Sequence, residues 1–309
     1  MLRNSSIRRI MIATLALFIL LIIYLFPDNN QIEESLSYIN AQELPIFLMD
    51  KMEYVARTSI IKNQSQQNDD IKQIIDTLTI DSHKSAYIPD GFSALIPKDT
   101  KLLDMELKNG LLKLNFSKEF LNVSPQYEEK MLEALIYSLT ELDNVEKITI
   151  TIEQEPLTKL PSGKKIPNTL DKSFGINKIY NLESIKDTSK TTIYYLSKYN
   201  NLYYYVPVTK ISNDEKERVE IIIKELKTTP IYHTNLISYL AASTNLLNYE
   251  LLEETITLSF DNHLLANLDD KKILEEVKYS IALSLRDTYG IKKVNFNIPE
   301  EETTSVMTK

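Results

Sequence analysis

Cysteine is absent from all 309 residues of this chain. That one absence removes a disulfide framework, a thiolate metal site, a thiol nucleophile and a lipidated cysteine. Glycine is scarce, with five in the chain, and neither GxGxxG nor GxxxxGKS/T occurs, so no glycine-rich loop can cradle a phosphate. Tryptophan is missing, and so is the G-x-S-x-G signature of a serine nucleophile. The formal net charge of −8 argues against a general nucleic-acid binder, because a phosphate backbone would be repelled. What remains is a globular balance, 43% hydrophobic and 25% charged, in a chain long enough for two ordinary domains.

One long apolar run breaks that balance. Residues 10–26 read IMIATLALFILLIIYLF, with the hydroxyls of Thr14 and Tyr24 as their only polar side-chain atoms. A helix of this length spans about 25 Å, just adequate for a bilayer core. Arg3, Arg8 and Arg9 precede it, and Asp28, Glu33 and Glu34 follow. The positive-inside bias therefore predicts a cytoplasmic tail at 1–9, a single-pass signal-anchor helix at 10–26, and everything beyond it outside the membrane. A cleaved signal peptide would need a shorter apolar core and a small-x-small site, which PDNNQIEES does not supply. Residues 27–43 are polar and acidic and read as a stalk.

The remainder carries one pattern twice. In the first half, 46–61 reads as two strands with a turn near Asp50 and Lys51, and 69–78 places Ile71, Ile74, Ile75 and Leu78 at helical spacing. A hairpin follows at 100–117, where Leu103, Met105 and Leu107 alternate, then Leu112, Leu114 and Phe116, around Asn109-Gly110. An amphipathic helix is expected at 124–142, with Ser124 as N-cap, Pro125 in the first turn, and Leu132, Leu135, Ile136 and Leu139 as its stripe. The strand KITITIE (147–153) closes the unit. In the second half a hairpin at 192–209, a helix at 216–226, a hairpin at 244–261, a helix at 270–287 and a strand at 291–298 repeat the order. Residue pairs support a duplication: Leu102-Leu103 with Leu246-Leu247, Leu114 and Phe116 with Leu258 and Phe260, and Tyr137-Ser138 with Tyr279-Ser280. The predicted fold class is α+β: an N-terminal transmembrane helix followed by two duplicated ββαββαβ domains, each a sheet with helices on one face.

These residues carry a resemblance. Leu114-Asn115-Phe116-Ser117, Ser138-Leu139-Thr140-Glu141, the strand from Val145 to Ile150 and the closing Gly175-Ile176-Asn177 resemble the GerMN domain family. The likeness covers nearly all of a first domain at 44–177. A more divergent second domain at 191–299 follows a linker at 178–190; it keeps Leu258 to Asp261 but lacks the G-I-N close, and 300–309 reads as a polar tail. The resemblance implies a non-enzymatic assembly or scaffold protein of sporulation or spore germination, in the channel complex between mother cell and forespore. The expected partners are other envelope or sporulation proteins, including further copies of this chain in a higher-order assembly. It also implies lipid attachment, which a chain without cysteine must replace with the helix at 10–26.

No set of side chains with catalytic spacing stands out. His83 and His233 follow the first helix of each unit and His263 falls in a loop, without the i, i+4 partner of a helical metal site. Glu128-Glu129, Glu253-Glu254 and Glu275-Glu276 are adjacent pairs, which on a helix diverge by about 100° and line a wet face or complement a helix N-terminus. No catalytic, cofactor-binding or metal-ligating residue is expected, and a wall-binding or small-ligand module, or a weak peptidoglycan hydrolase, is the alternative function. The most suggestive feature is the tyrosine run Tyr194, Tyr195, Tyr199, Tyr203, Tyr204 and Tyr205. Alternation in a strand sends these rings to both faces, one towards the core and the other towards the first domain, a partner or solvent.

Overall fold

The structure is a computed structural model that describes Thr14 and residues 42–62, 67–84, 87–184, 186–228, 235–266, 272–299 and 303–308. The chain divides into a unit at 1–42 and a compact unit at 43–309. The anchor and stalk expected at 10–26 and 27–43 lie outside the described residues, apart from Thr14, which is helical, and the last stalk residues. No helix among the described residues is long and apolar enough to cross a membrane.

The unit at 43–309 is mixed α+β, and both halves contain the expected elements. In the first half β1 (Glu43–Asp50) and β2 (Val55–Ile61) form a hairpin, followed by α1 (Gln67–Leu78) and a short β3 (Phe92–Ser93). Next come the hairpin β4 (Leu102–Lys108) and β5 (Leu111–Phe116), α2 (Glu128–Leu139), β6 (Lys147–Ile152) and β7 (Glu155–Pro156). Asn109 and Gly110 both have positive φ, the type I′ geometry that an Asn-Gly turn predicts. After β8 (Ile179–Asn181) the second half contains β9 (Ser189–Tyr199), β10 (Leu202–Ser212), α3 (Arg218–Leu226), β11 (Leu246–Leu252), β12 (Thr255–Phe260), α4 (Glu275–Tyr289), β13 (Lys293–Asn297) and β14 (Thr304–Met307). In each half a helix links two parallel strands, α2 between β5 and β6 and α4 between β12 and β13, the crossover that parallel pairing requires.

The sheets are arranged differently from one per domain. β4-β5-β6-β7 and β11-β12-β13-β14 form separate four-stranded sheets, whereas the hairpins β1-β2 and β9-β10, with β3 and β8, merge into one six-stranded sheet shared by both halves. The helices do not simply cover one face of a sheet either. Ten of the twelve α2 residues are buried, and one apolar cluster joins them to Phe47 on β1, to Leu112 and Phe116 on β5 and to Ile148 on β6. A helix buried on nearly every side is apolar around most of its circumference, which explains why a single stripe under-describes it.

Three local expectations need correction. α2 begins at Glu128, not Ser124, because Ser124 closes a turn with the Tyr127 N–H before the helix starts. Residues 300–309 are not merely a polar tail: β14 pairs antiparallel with β13 and buries Val306. The linker at 178–190 contains β8 and the first residues of β9, both in the shared sheet.

Candidate functional site: the polar joint between the domains

The two halves meet where β2 and β10 touch, through a single antiparallel pair, Arg57 with Tyr205. Farther along, the same edge of β10 pairs in parallel with β8 at Lys210 to Ser212. Between these two neighbours stands Pro207, which has no N–H to offer. Asn177 fills the gap. Its Nδ2 donates to the Val55 and Pro207 carbonyls at 2.8 and 2.7 Å, and its Oδ1 accepts from the Val55 N–H at 2.9 Å. The residue adopts φ 46, a left-handed conformation that asparagine tolerates better than most residues. The G-I-N close is thus a wedge that replaces ladder hydrogen bonds where two sheets fuse. Ile176 adds two backbone links to Thr209: its N–H donates to Oγ1 and its carbonyl accepts from the Thr209 N–H.

Behind the wedge lies a buried ionic cluster. Glu141, just past the end of α2, accepts from Lys172 at 2.8 Å and from Arg286 at 2.6 and 2.9 Å. Asp287, in the last turn of α4, accepts from Lys172 at 2.7 Å and from the Tyr194 hydroxyl at 2.5 Å. Arg57 completes the group at 3.5 Å from Glu141, with its Nε buried and without an acceptor. Burial alone would raise the Glu141 carboxyl, but Lys172, Arg286 and Arg57 outweigh it and hold the group well below the usual carboxylate range. Asp287 is lowered in the same way, against its own burial, by Lys172 and Arg286. Cations and carboxylates from both halves are therefore committed to one another, and removing one member would strand the rest in an apolar surround.

Smaller contacts extend the joint. Glu133 is buried, accepts from the Asn177 N–H at 3.0 Å and pairs with Lys178 at 2.6 Å; desolvation still leaves its carboxyl raised. Asp50, the last residue of β1, accepts from the Tyr204 hydroxyl at 2.9 Å and is likewise raised by burial. Gly91 (φ +93) lies under the Tyr199 ring, where an added Cβ would come within 2.5 Å of the ring.

The tyrosine run is mostly absorbed here. Tyr194, Tyr195 and Tyr204 are buried, and Tyr204 packs edge-on against Phe92 of the first half at 4.9 Å. Tyr199 and Tyr205 are part-buried, while Tyr203 is exposed and meets Tyr239 edge-on at 6.4 Å. His83 and His263 are exposed, with one aspartate each, Asp76 at 3.8 Å and Asp261 at 3.1 Å; His233 lies outside the described residues. The carboxylate pairs separate. Glu128 is buried, not on a wet face, and accepts from the N–H and hydroxyl of Ser162, while Glu129 pairs with Lys164 and Lys178. Glu253-Glu254 is the β11-β12 turn, and Glu275 pairs with Lys278 on the first turn of α4. Among the described residues no three histidine or carboxylate side chains gather as a metal site would require.

Pairing Tyr137-Ser138 with Tyr279-Ser280 sets the two helices one turn out of register and hides the match of Glu141, already part of a family-like motif, to Asp287. The Phe47 N–H donates to Ser138 Oγ at 2.8 Å and the Tyr194 N–H to Ser284 Oγ at 2.8 Å, so Ser138 corresponds to Ser284, not to Ser280. That register brings Glu141 onto Asp287. It also agrees with Ile148 and Val294, which pair with Leu170 and Val306 respectively.

A family model described as sporulation and spore germination, Germane, matches residues 36–158 and 192–304. The chain belongs to this family. It is 29% identical over 259 residues to the spore germination protein GerM of Bacillus subtilis (strain 168), covering 82% of this chain and 70% of that protein. Among solved structures it is similar to the tandem GerMN domains of the sporulation protein GerM from Bacillus subtilis, with a TM-score of 0.76 at 27% identity over 84% of this chain and 92% of that one. The GerMN resemblance therefore holds for both halves, and the joint described above lies between two such domains.

Proposed function

We propose that this chain is a non-enzymatic assembly protein of the cell envelope in sporulation or spore germination. In this reading the helix at 10–26 holds it to the membrane with its N-terminus in the cytoplasm, and both domains stand outside, in the complex between mother cell and forespore. The observation that carries the proposal is the joint. The buried charges of Glu141, Lys172, Arg286 and Asp287 are matched to one another across the domains, so they fix two surfaces in one body instead of facing a substrate. Kinship with a sporulation protein supports the same reading.

A fluorescent fusion of the full chain, followed in starving cells of the host, tests it. The expected result is a signal gathered at the membranes around the forespore, with cross-links to other envelope proteins. A diffuse signal, or release of soluble fragments from purified wall by the full chain, would overturn it.

A further inference from the structure

The hairpin of β9 and β10 turns at Asn200 and Asn201, and Tyr203 follows on β10 opposite Lys198. After α3 the chain returns to the same hairpin. Ile237 exchanges two backbone hydrogen bonds with Leu196, at 2.7 and 2.8 Å, and Tyr239 comes two residues later. Two tyrosines that are 36 residues apart in sequence are thereby brought into contact. Their rings meet edge-on with centroids 6.4 Å apart, and the Tyr239 hydroxyl donates to the Tyr203 hydroxyl at 3.4 Å. Both rings are open to solvent, at 42% and 41%. The buried Phe92 and Tyr204 are interior packing, whereas an exposed pair is within reach of a dissolved reagent.

Two phenols that share a hydrogen bond bring their Cε carbons, the positions beside each hydroxyl, close together. One-electron oxidation of a phenol places radical character on those same carbons. The Tyr239 hydroxyl and Lys198, whose Nζ lies 5.0 Å from the Tyr203 ring centre, hold the Tyr203 hydroxyl below its ordinary value, against the opposing charge of Glu276. They favour the anion, the form that gives up an electron most readily. The chain has neither cysteine nor tryptophan, so no thiol or indole competes for the oxidising equivalent.

We propose that Tyr203 and Tyr239 form an oxidative cross-linking site, at which hydrogen peroxide, acting through a haem peroxidase, joins the two rings as dityrosine. Each phenol gives up one electron and one proton, and a carbon–carbon bond forms between one Cε of each ring. The hydrogen on each of those carbons then passes as a proton to its own phenol oxygen. The two electrons and two protons released reduce one peroxide to two waters. The new bond closes a covalent loop around β10 and α3, and it restricts the unfolded chain as a disulfide would in a protein that has none. It rests on the pair alone and not on the assembly reading.

The test treats the full chain in detergent with hydrogen peroxide and a haem peroxidase. The expected product is a monomer with dityrosine fluorescence, whose digest keeps the peptides of Tyr203 and Tyr239 joined and lighter than their sum by two hydrogens. Tyr203→Phe and Tyr239→Phe should each lower that signal about tenfold or more, because adjacency and not access drives the coupling. Tyr180→Phe, which removes a more exposed phenol (62%), should leave it unchanged. The joined chain should melt about 5 °C or more higher than the untreated one. Cross-links that map to other tyrosines, that form only between chains, or that survive either phenylalanine variant overturn the proposal. So does an equal yield from the chain unfolded in urea, where the fold no longer holds the rings together. Both phenylalanine variants remove only an exposed hydroxyl, and an unchanged melting temperature before oxidation separates lost coupling from lost fold.

Discussion

Glu141 follows the last turn of α2 in the first domain, Asp287 lies in the last turn of α4 in the second, and both reach Lys172. At the joint the two copies contribute equivalent carboxylates to one shared cluster. At their outer edges they diverge: β4 carries three charges in seven residues, β11 one. The duplicated pattern is maintained where the copies hold each other and relaxed where they face outward. A residue inside the joint is constrained by desolvation from both domains, whereas an edge residue answers only to solvent or a partner.

The sharpest break in that comparison is Asp287→Ala. It leaves Lys172 and Arg286 to share Glu141 alone and takes the acceptor from the buried Tyr194 hydroxyl, and a loss of about 3–5 kcal/mol is expected. Urea denaturation of the full chain measures it. An alanine at Asp104, exposed on the edge strand β4, should cost far less, and equal costs would show that the cluster is not the lock. Acid probes the same lock without mutation. Glu141 and Asp287 are depressed in the folded state, so their contribution is present above the ordinary carboxylate range and is lost as pH falls through their folded values. Asp50 and Glu133 are raised, act with the opposite sign, and offset part of that loss. Stability should therefore fall from pH 5 towards pH 2 and flatten in Glu141→Gln, measured by denaturant midpoint; an unchanged slope would remove Glu141 from the account.

Asn177→Ala tests the wedge. Losing three hydrogen bonds between fused strands should cost about 2–3 kcal/mol and raise amide exchange at Val55, which donates to Asn177, and at Thr209, which donates to Ile176, before other strands open. Gly91→Ala puts a methyl group against the Tyr199 ring at positive φ and should cost about 1–3 kcal/mol, a deficit that Tyr199→Ala in the same chain should partly relieve. The smallest effect lies away from the joint. Glu253 takes φ 51 in the turn equivalent to Asn109-Gly110, and Glu253→Gly should stabilise by at most about 1 kcal/mol, read as a rise in melting temperature.

Much of the fold was legible because local patterns carried it. Asn109-Gly110 between alternating runs specifies a hairpin wherever it occurs, and the apolar spacing of Ile71, Ile74, Ile75 and Leu78 requires a helix with one buried face. The start of α2 is not legible locally, because Ser124 and Pro125 suit a turn as well as an N-cap, and only the Tyr127 N–H bond to the Ser124 carbonyl decides between them. The joint was less legible. Glu141 and Asn177 both stood in family-like motifs, yet their partners, Arg286 and Pro207, are 145 and 30 residues away, and no local pattern reports a contact at that separation.

By itself the sequence determined that this is a duplicated α+β chain without thiol chemistry or a phosphate loop, because composition and hydrophobic period act residue by residue. The tertiary structure decided that the two hairpins fuse into one sheet, that most of the tyrosine run is interior packing, and that the carboxylates at two helix ends form a single lock. Strand edges and buried charges gain meaning only from what burial brings beside them, and that is set by the packing of the whole chain.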